Sequence, residues 1–153
     1  MKEIVGDLWA IYDRDVASSF SMAIIIPTNG TVRRDGACVM GAGLAKDAKM
    51  RWPKLPYAVG ERLKMGGNVP YIFPAFRVIT FPVKHNWWEV ADLKLIRRSA
   101  MLLGTGEATS RYEKLYLPMV GCGNGKLQWD DVRLVLSEFL GGSKFVIVRE
   151  KST

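Results

Sequence analysis

Short apolar runs alternate with amphipathic stretches along the whole chain. Met22-Ala23-Ile24-Ile25-Ile26 is continuous and β-branched, the pattern of a strand buried on both faces. The turn residues Pro27-Thr28-Asn29-Gly30 are expected to stop it. Leu44 to Trp52 predicts a helix with Leu44, Ala45, Ala48 and Trp52 on one face and Lys46, Asp47 and Lys49 toward water. Pro53 closes it. A second short helix is expected from Pro56 to Met65, ending at Gly66-Gly67. Tyr71-Ile72-Phe73 and Phe76 to Phe81 read as strands. Val90, Leu93, Ile96, Ala100 and Leu103 recur at helical spacing, opposite Lys94, Arg97 and Arg98, with Gly104 as the cap. Lys114 to Val120 predicts a strand centred on Leu115-Tyr116-Leu117. Asp130 to Leu140 predicts a helix with Val132, Val135, Leu136, Phe139 and Leu140 inward and Asp130 and Asp131 at its positive end. Lys144 to Arg149 is a final strand. Strands alternating with helices imply an α/β fold around a mainly parallel sheet.

Composition narrows the class. The chain has 153 residues, 48% hydrophobic and 24% charged, an ordinary globular mixture of one-domain size, so residues 1–153 are expected to form one domain. No apolar run approaches the roughly 20 residues that cross a bilayer. The start, Met1 to Asp7, sets Glu3 and Asp7 around only two apolar residues, unlike a signal peptide. Its two cysteines, Cys38 and Cys122, have neither metal-ligand spacing nor a disulfide framework, which favours a reducing cytoplasm and excludes a zinc finger. No heptad or long apolar edge calls for an oligomer, so a monomer is expected. The net charge of +7, from 22 Lys and Arg against 15 Asp and Glu, favours polyanionic partners, nucleic acid among them.

Two glycine-rich loops fall where open α/β sheets bind ligands, beyond strand carboxyl ends. One is Val39-Met40-Gly41-Ala42-Gly43-Leu44-Ala45; the other is Val120-Gly121-Cys122-Gly123-Asn124-Gly125. Glycines let backbone N–H groups converge on an anion, and a following helix adds its positive end. Two such loops at one edge could grip a diphosphate from both sides. Neither is a G-x-G-x-x-G fingerprint with a ribose carboxylate, and neither is a Walker loop.

These motifs, in this order, resemble a macrodomain: Gly6-Asp7-Leu8 after a first strand, a strand ending in Asn29, Met40 to Ala45, and Gly121 to Gly125 followed by Leu127-Gln128-Trp129. The resemblance runs from about Ile4 to Val148. It implies a three-layer α/β/α fold with a mixed, mainly parallel sheet, and a site for ADP-ribose. The chain is most similar to the lysine-dependent ADP-ribosyl glycohydrolases, which include antitoxin macrodomains acting on DNA bases and an enzyme acting on protein glutamates. On this resemblance Asp7 would take the adenine amino group, with the Leu8 main chain beside it. Asn29 would reach the distal ribose. Gly41, Ala42, Gly43 and Leu44 would cradle one side of the diphosphate. Gly121, Cys122, Gly123 and Asn124, in the loop that Gly125 closes, would hold its other side and the distal ribose. The resemblance implies no cofactor, no metal and no membrane.

The catalytic candidate is Lys84, within Phe81-Pro82-Val83-Lys84-His85-Asn86-Trp87-Trp88. The resemblance places a lysine at that strand end, facing the distal ribose. A lysine that has lost its proton is a nucleophile. The chain departs from the glutamate-directed enzyme at Gly125, where that enzyme has an acid; glycine there fits the DNA-directed branch better, and the proton donor to the leaving group stays open. His85, Trp87 and Trp88 are candidates for contact with a base, Lys94, Arg97 and Arg98 for phosphates. His85 reads better as structural, and at least one of the two tryptophans is expected in the core. Cys122 reads as a packing residue and Asp35 as a turn residue in Arg33-Arg34-Asp35-Gly36. The residues leave other classes open: a non-catalytic ADP-ribose reader, an enzyme acting on ADP-ribose 1″-phosphate or acylated ADP-ribose, and a plain nucleic-acid binder.

Overall fold

A computed structural model describes residues 1–151. In chain order it contains β1 (Lys2–Val5), α1 (Leu8–Ala17), β2 (Met22–Asn29), α2 (Gly43–Arg51), α3 (Leu55–Gly66), β3 (Ile72–Phe73) and β4 (Val78–Lys84). Then follow α4 (Leu93–Thr105), α5 (Ala108–Arg111), β5 (Lys114–Leu117), α6 (Trp129–Ser137) and β6 (Phe145–Arg149). The strands form one sheet in the order β1-β6-β5-β2-β4-β3. Every neighbouring pair is parallel except β3 and β4. The sheet is therefore mixed and mainly parallel, as expected.

Side-chain alternation along the strands builds two cores. Ala23 and Ile25 of β2, with Ile79, Phe81, Leu115, Leu117, Phe145 and Ile147, face one side. There they pack against Ile96, Ala100 and Leu103 of α4 and Val132 and Leu136 of α6. Met22, Ile24 and Ile26, with Val78, Tyr116, Val146 and Val148, face the other side. They meet Leu8, Ile11 and Tyr12 of α1, Ala45 and Ala48 of α2, and Leu55, Val59 and Leu63 of α3. The α/β/α layering follows from this period of two.

Several boundaries differ from the sequence reading. β2 does not stop at the turn residues from Pro27 on but ends at Asn29, as the macrodomain resemblance implied. Pairing between β2 and β5 ends at Ile24, so beyond it one flank of β2 needs no N–H and a proline is tolerated. Pro82 in β4 sits likewise past the short pairing with β3. β4 begins at Val78 rather than Phe76, and β5 ends at Leu117 rather than Val120. Val90 lies outside α4 and is exposed, because Asp92 caps that helix through a hydrogen bond from the Lys94 N–H. α4 also runs through Gly104 to Thr105. Gly104 is a close-approach residue rather than a cap, since a Cβ there would overlap the Phe139 carbonyl. Helices α1 and α5 had no counterpart in the sequence reading. Among the described residues no helix is long and apolar enough to cross a membrane.

Candidate functional site

Five parallel strands bring their carboxyl ends to one edge of the sheet, and both glycine loops lie there. The first is shaped by Asn29. The chain leaves β2, turns through Arg33–Gly36 and returns along a Val32–Cys38 bridge. The Asn29 Nδ2 donates to the Val39 carbonyl at 2.9 Å, and its Oδ1 accepts from the Thr31 N–H at 3.0 Å. These bonds close the neck of the loop and deliver Gly41, Ala42 and Gly43 to the start of α2. The N-cap of α2 is Ala42, which has no side chain to bond the first amides. Gly43 adopts φ +57°. Exposed backbone donors at the positive end of a helix suit an anion.

The second loop is tied by its own backbone. The Leu127 N–H donates to the Gly121 carbonyl at 2.9 Å, and the Lys126 N–H to the Gly123 carbonyl at 3.1 Å. Gly123 and Asn124 project into solvent. The two loops converge: a Cβ on Gly43 would lie 3.6 Å from Asn124 Nδ2. Gly125 differs from its neighbours. A Cβ there would overlap the Gly121 carbonyl oxygen and come within 2.7 Å of the Ala91 Cβ, so no side chain fits without moving backbone.

Asp7 stands at the end of β1 and caps α1. Its Oδ1 accepts from the Trp9 N–H at 2.9 Å and the Ala10 N–H at 3.4 Å. The carboxylate is exposed, and its Oδ2 is not engaged in that cap. The Leu8 side chain is buried in α1's inner face.

Lys84 is the half-buried last residue of β4 and pairs with Asn29. The register slips there: Thr28 pairs with Pro82, but Asn29 pairs with Lys84, so Val83 is skipped. The Lys84 carbonyl accepts from Asn68 Nδ2 at 3.0 Å, and the His85 carbonyl from the Gly30 N–H at 3.1 Å. His85 lies past the strand. Its Nε2 is 2.9 Å from Asp92 Oδ2, in the carboxylate that caps α4. The hydrogen bond from His85 is the main reason the Asp92 carboxyl sits below the usual carboxylate range. A structural role for His85 agrees with this geometry.

The tryptophan expectation fails. Trp87 and Trp88 are 54% and 64% exposed and meet edge to face, with centroids 5.9 Å apart. The segment leaves the sheet after Lys84, so neither ring reaches the core, and the Trp87 N–H is anchored on Thr31 Oγ1 at 3.1 Å. Lys94, Arg97 and Arg98 are exposed on α4. Cys122 is half-buried, and burial pushes its thiol above the ordinary range; Cys38 is pushed up to about 12 by burial, so neither is an activated nucleophile. Asp35 serves its turn, accepting from the Ala37 N–H at 3.1 Å.

Asn68, Thr31, Ala91 and Asp92 were not singled out in the sequence. Asp92 follows the N-cap preference and was legible in principle. Nothing in the spacing around Asn68 marks it. A groove of about 700 Å³ beside Tyr71 to Phe76 and Leu102 to Arg111 contains no predicted site residue. A hollow of about 450 Å³ backs the first loop at Val39, Met40 and Gly41. Among the described residues no cluster of three His, Cys, Asp or Glu could hold a metal.

No family model matches the sequence, and no curated protein matches it. Solved structures do match its fold. DarTG of Thermosipho africanus in complex with ADP-ribose superposes with a TM-score of 0.72 at 21% identity, over 99% of this chain and 42% of that one. This chain thus spans less than half of that protein. The DarG macrodomain of Thermus aquaticus gives 0.70 at 20% identity, over 99% of this chain and 97% of the other. That of Mycobacterium tuberculosis gives 0.70 at 23%, over 99% of both chains. The fold is that of a macrodomain. The sequence resemblance and the structural one therefore agree on architecture, and the two loops, Asp7 and Lys84 occupy one edge of a macrodomain sheet.

Proposed function

We propose that this macrodomain binds ADP-ribose and hydrolyses ADP-ribosyl linkages, with a nucleic-acid base as the leaving group. The observation that carries the reading is the placement of Lys84 beside Asn29, at the edge where the two glycine loops converge. The diphosphate lies between Gly41–Leu44 and Gly121–Asn124, the adenine at Asp7 and Leu8, and the distal ribose at Asn29 and Lys84. The neutral Lys84 amine attacks the anomeric carbon. The bond to the base breaks, and the base takes up a proton. The ribose ring opens to an imine on Nζ, and water hydrolyses the imine, releasing ADP-ribose and restoring the amine.

The exposed Trp87 and Trp88, the cationic face of α4 and the +7 charge support a nucleic-acid substrate. ADP-ribose bound in the DarTG structure of the same fold supports the binding half of the reading. Residues 1–153 make up one domain, which we place in the cytoplasm, acting as a monomer. The test is incubation with DNA carrying ADP-ribose on a base, and separately with a glutamate-modified protein, reading free ADP-ribose. Release from the DNA is expected.

A second reading is a non-catalytic reader. It rests on Gly125, where no acid can be accommodated. Tight calorimetric binding of ADP-ribose without release from any substrate would select it; phosphate release from ADP-ribose 1″-phosphate would select a small-molecule enzyme.

A further inference from the structure

The Lys84–His85 turn is held by groups outside the sheet ladder. The slip at Thr28/Asn29 removes regular pairing where β4 ends, so strand register alone does not fix where Lys84 points. Asn68 and Gly30 replace it. Asn68 Nδ2 donates to the Lys84 carbonyl at 3.0 Å, and the Gly30 N–H to the His85 carbonyl at 3.1 Å. The two also interlock: a Cβ on Gly30 would lie 2.9 Å from the Asn68 Cγ and Nδ2 and 2.8 Å from the His85 oxygen. Only a glycine lets the Asn68 amide slide in.

Asn68 keeps this place at a cost. Its Oδ1 is buried and, among the described residues, has no hydrogen-bond partner, which is unfavourable. The bond to the Lys84 carbonyl is the one hydrogen bond that this side chain makes among the described residues. The donor half of the amide is what the site uses.

From this geometry we infer that Asn68 is a positioning residue for Lys84, clamping the backbone that aims its amine at the distal ribose. The inference rests on the reading of Lys84 as nucleophile. Asn68 touches no substrate in this role. It acts through the Lys84 peptide, and a displacement of a reacting group by about 1 Å can cost about a hundredfold in rate.

The probe is free ADP-ribose with cyanoborohydride. The open-chain aldehyde at C1″ condenses with the Lys84 amine and loses water. Hydride from the reagent then reduces the imine to a stable secondary amine, located by peptide mass spectrometry. The wild type, Asn68→Asp, Asn68→Ser and Lys84→Ala are compared, with ADP-ribose affinity by calorimetry and melting temperature measured on each. Asn68→Asp keeps the shape and loses the donor; Asn68→Ser keeps a donor. Trapping at residue 84, read well below each variant's melting temperature, is expected to slow about tenfold or more in Asn68→Asp at ADP-ribose affinity near wild type, and to recover partly in Asn68→Ser. Equal trapping in Asn68→Asp overturns the positioning role. So does a loss of trapping that only parallels lost affinity and stability, which marks a structural residue. No adduct at Lys84 in the wild type overturns the nucleophile reading itself, a failure separate from the first.

Discussion

Asn29 and Lys84 stand opposite each other across β2 and β4 at the point where the two strands slip by one residue. Asn29 spends its amide on Val39 and Thr31, closing the first glycine loop, while Lys84 ends its strand beside it. One residue thus ties the first glycine loop, the proposed diphosphate cradle, to the strand pair that carries the candidate nucleophile. Asn29→Ala deletes both bonds, leaving the Thr31 N–H unpaired and the Val39 carbonyl with only the weak Cys38 thiol donor. A loss of about 1–3 kcal/mol in stability is expected, with clearly weaker binding of ADP-ribose by calorimetry. Unchanged affinity would mean the loop holds its shape without Asn29.

Gly125 marks the departure from the glutamate-directed enzyme, and space explains it. Gly125→Asp is expected to lower stability by about 1–3 kcal/mol through overpacking against Gly121 and Ala91. It is not expected to create activity toward glutamate-linked ADP-ribose. Denaturant melts and a release assay on modified protein check both halves.

Acid stability should report on the His85–Asp92 pair. The Asp92 carboxyl is depressed in the folded protein, chiefly by His85, so its contribution is present above the ordinary carboxylate value and is lost as pH falls through the folded value. Asp92→Asn keeps a capping oxygen for the Lys94 N–H but removes the charge facing His85. Its melting temperature is expected to lie below wild type at pH 6 and to converge with it below about pH 4. A constant offset across that range would assign the effect to packing.

Much of the fold was legible because two-sided burial leaves unbroken apolar runs. β2 and β6 announce themselves in Ile24-Ile25-Ile26 and Phe145-Val146-Ile147-Val148, and α6 in its inward Val132 and Leu136. α1 escaped notice for a physical reason: its stripe of Leu8, Ile11 and Tyr12 continues in a buried carboxylate, Asp15, which breaks the apolar period. The ends of β2 and β4 were misjudged because proline is a breaker only where a neighbour needs its N–H. At the site, the loops and Lys84 were visible as motifs. Asn68 was not, since its role comes from a contact sixteen residues away along the chain. The tryptophans were misread toward the core because aromatic size favours burial, while the backbone after Lys84 carries them outward.

Trp87 and Trp88 give a test of the substrate class. Stacking of a base on an exposed aromatic face contributes about 1–3 kcal/mol. Trp88→Ala and Trp87→Ala are each expected to weaken binding of ADP-ribosylated single-stranded DNA by about fivefold or more, and to leave free ADP-ribose affinity near wild type. Filter binding and calorimetry separate the two. Equal losses for both ligands would place the rings in the ADP-ribose site instead.

On the proposed reading, Lys84 turns an ADP-ribose site into an enzyme. The most direct measurement pairs calorimetry of ADP-ribose with release from base-modified DNA, for wild type and Lys84→Ala. The expected result is affinity retained and release lost by about a hundredfold or more, the loss typical of a missing nucleophile. Release at the wild-type rate in Lys84→Ala would contradict it.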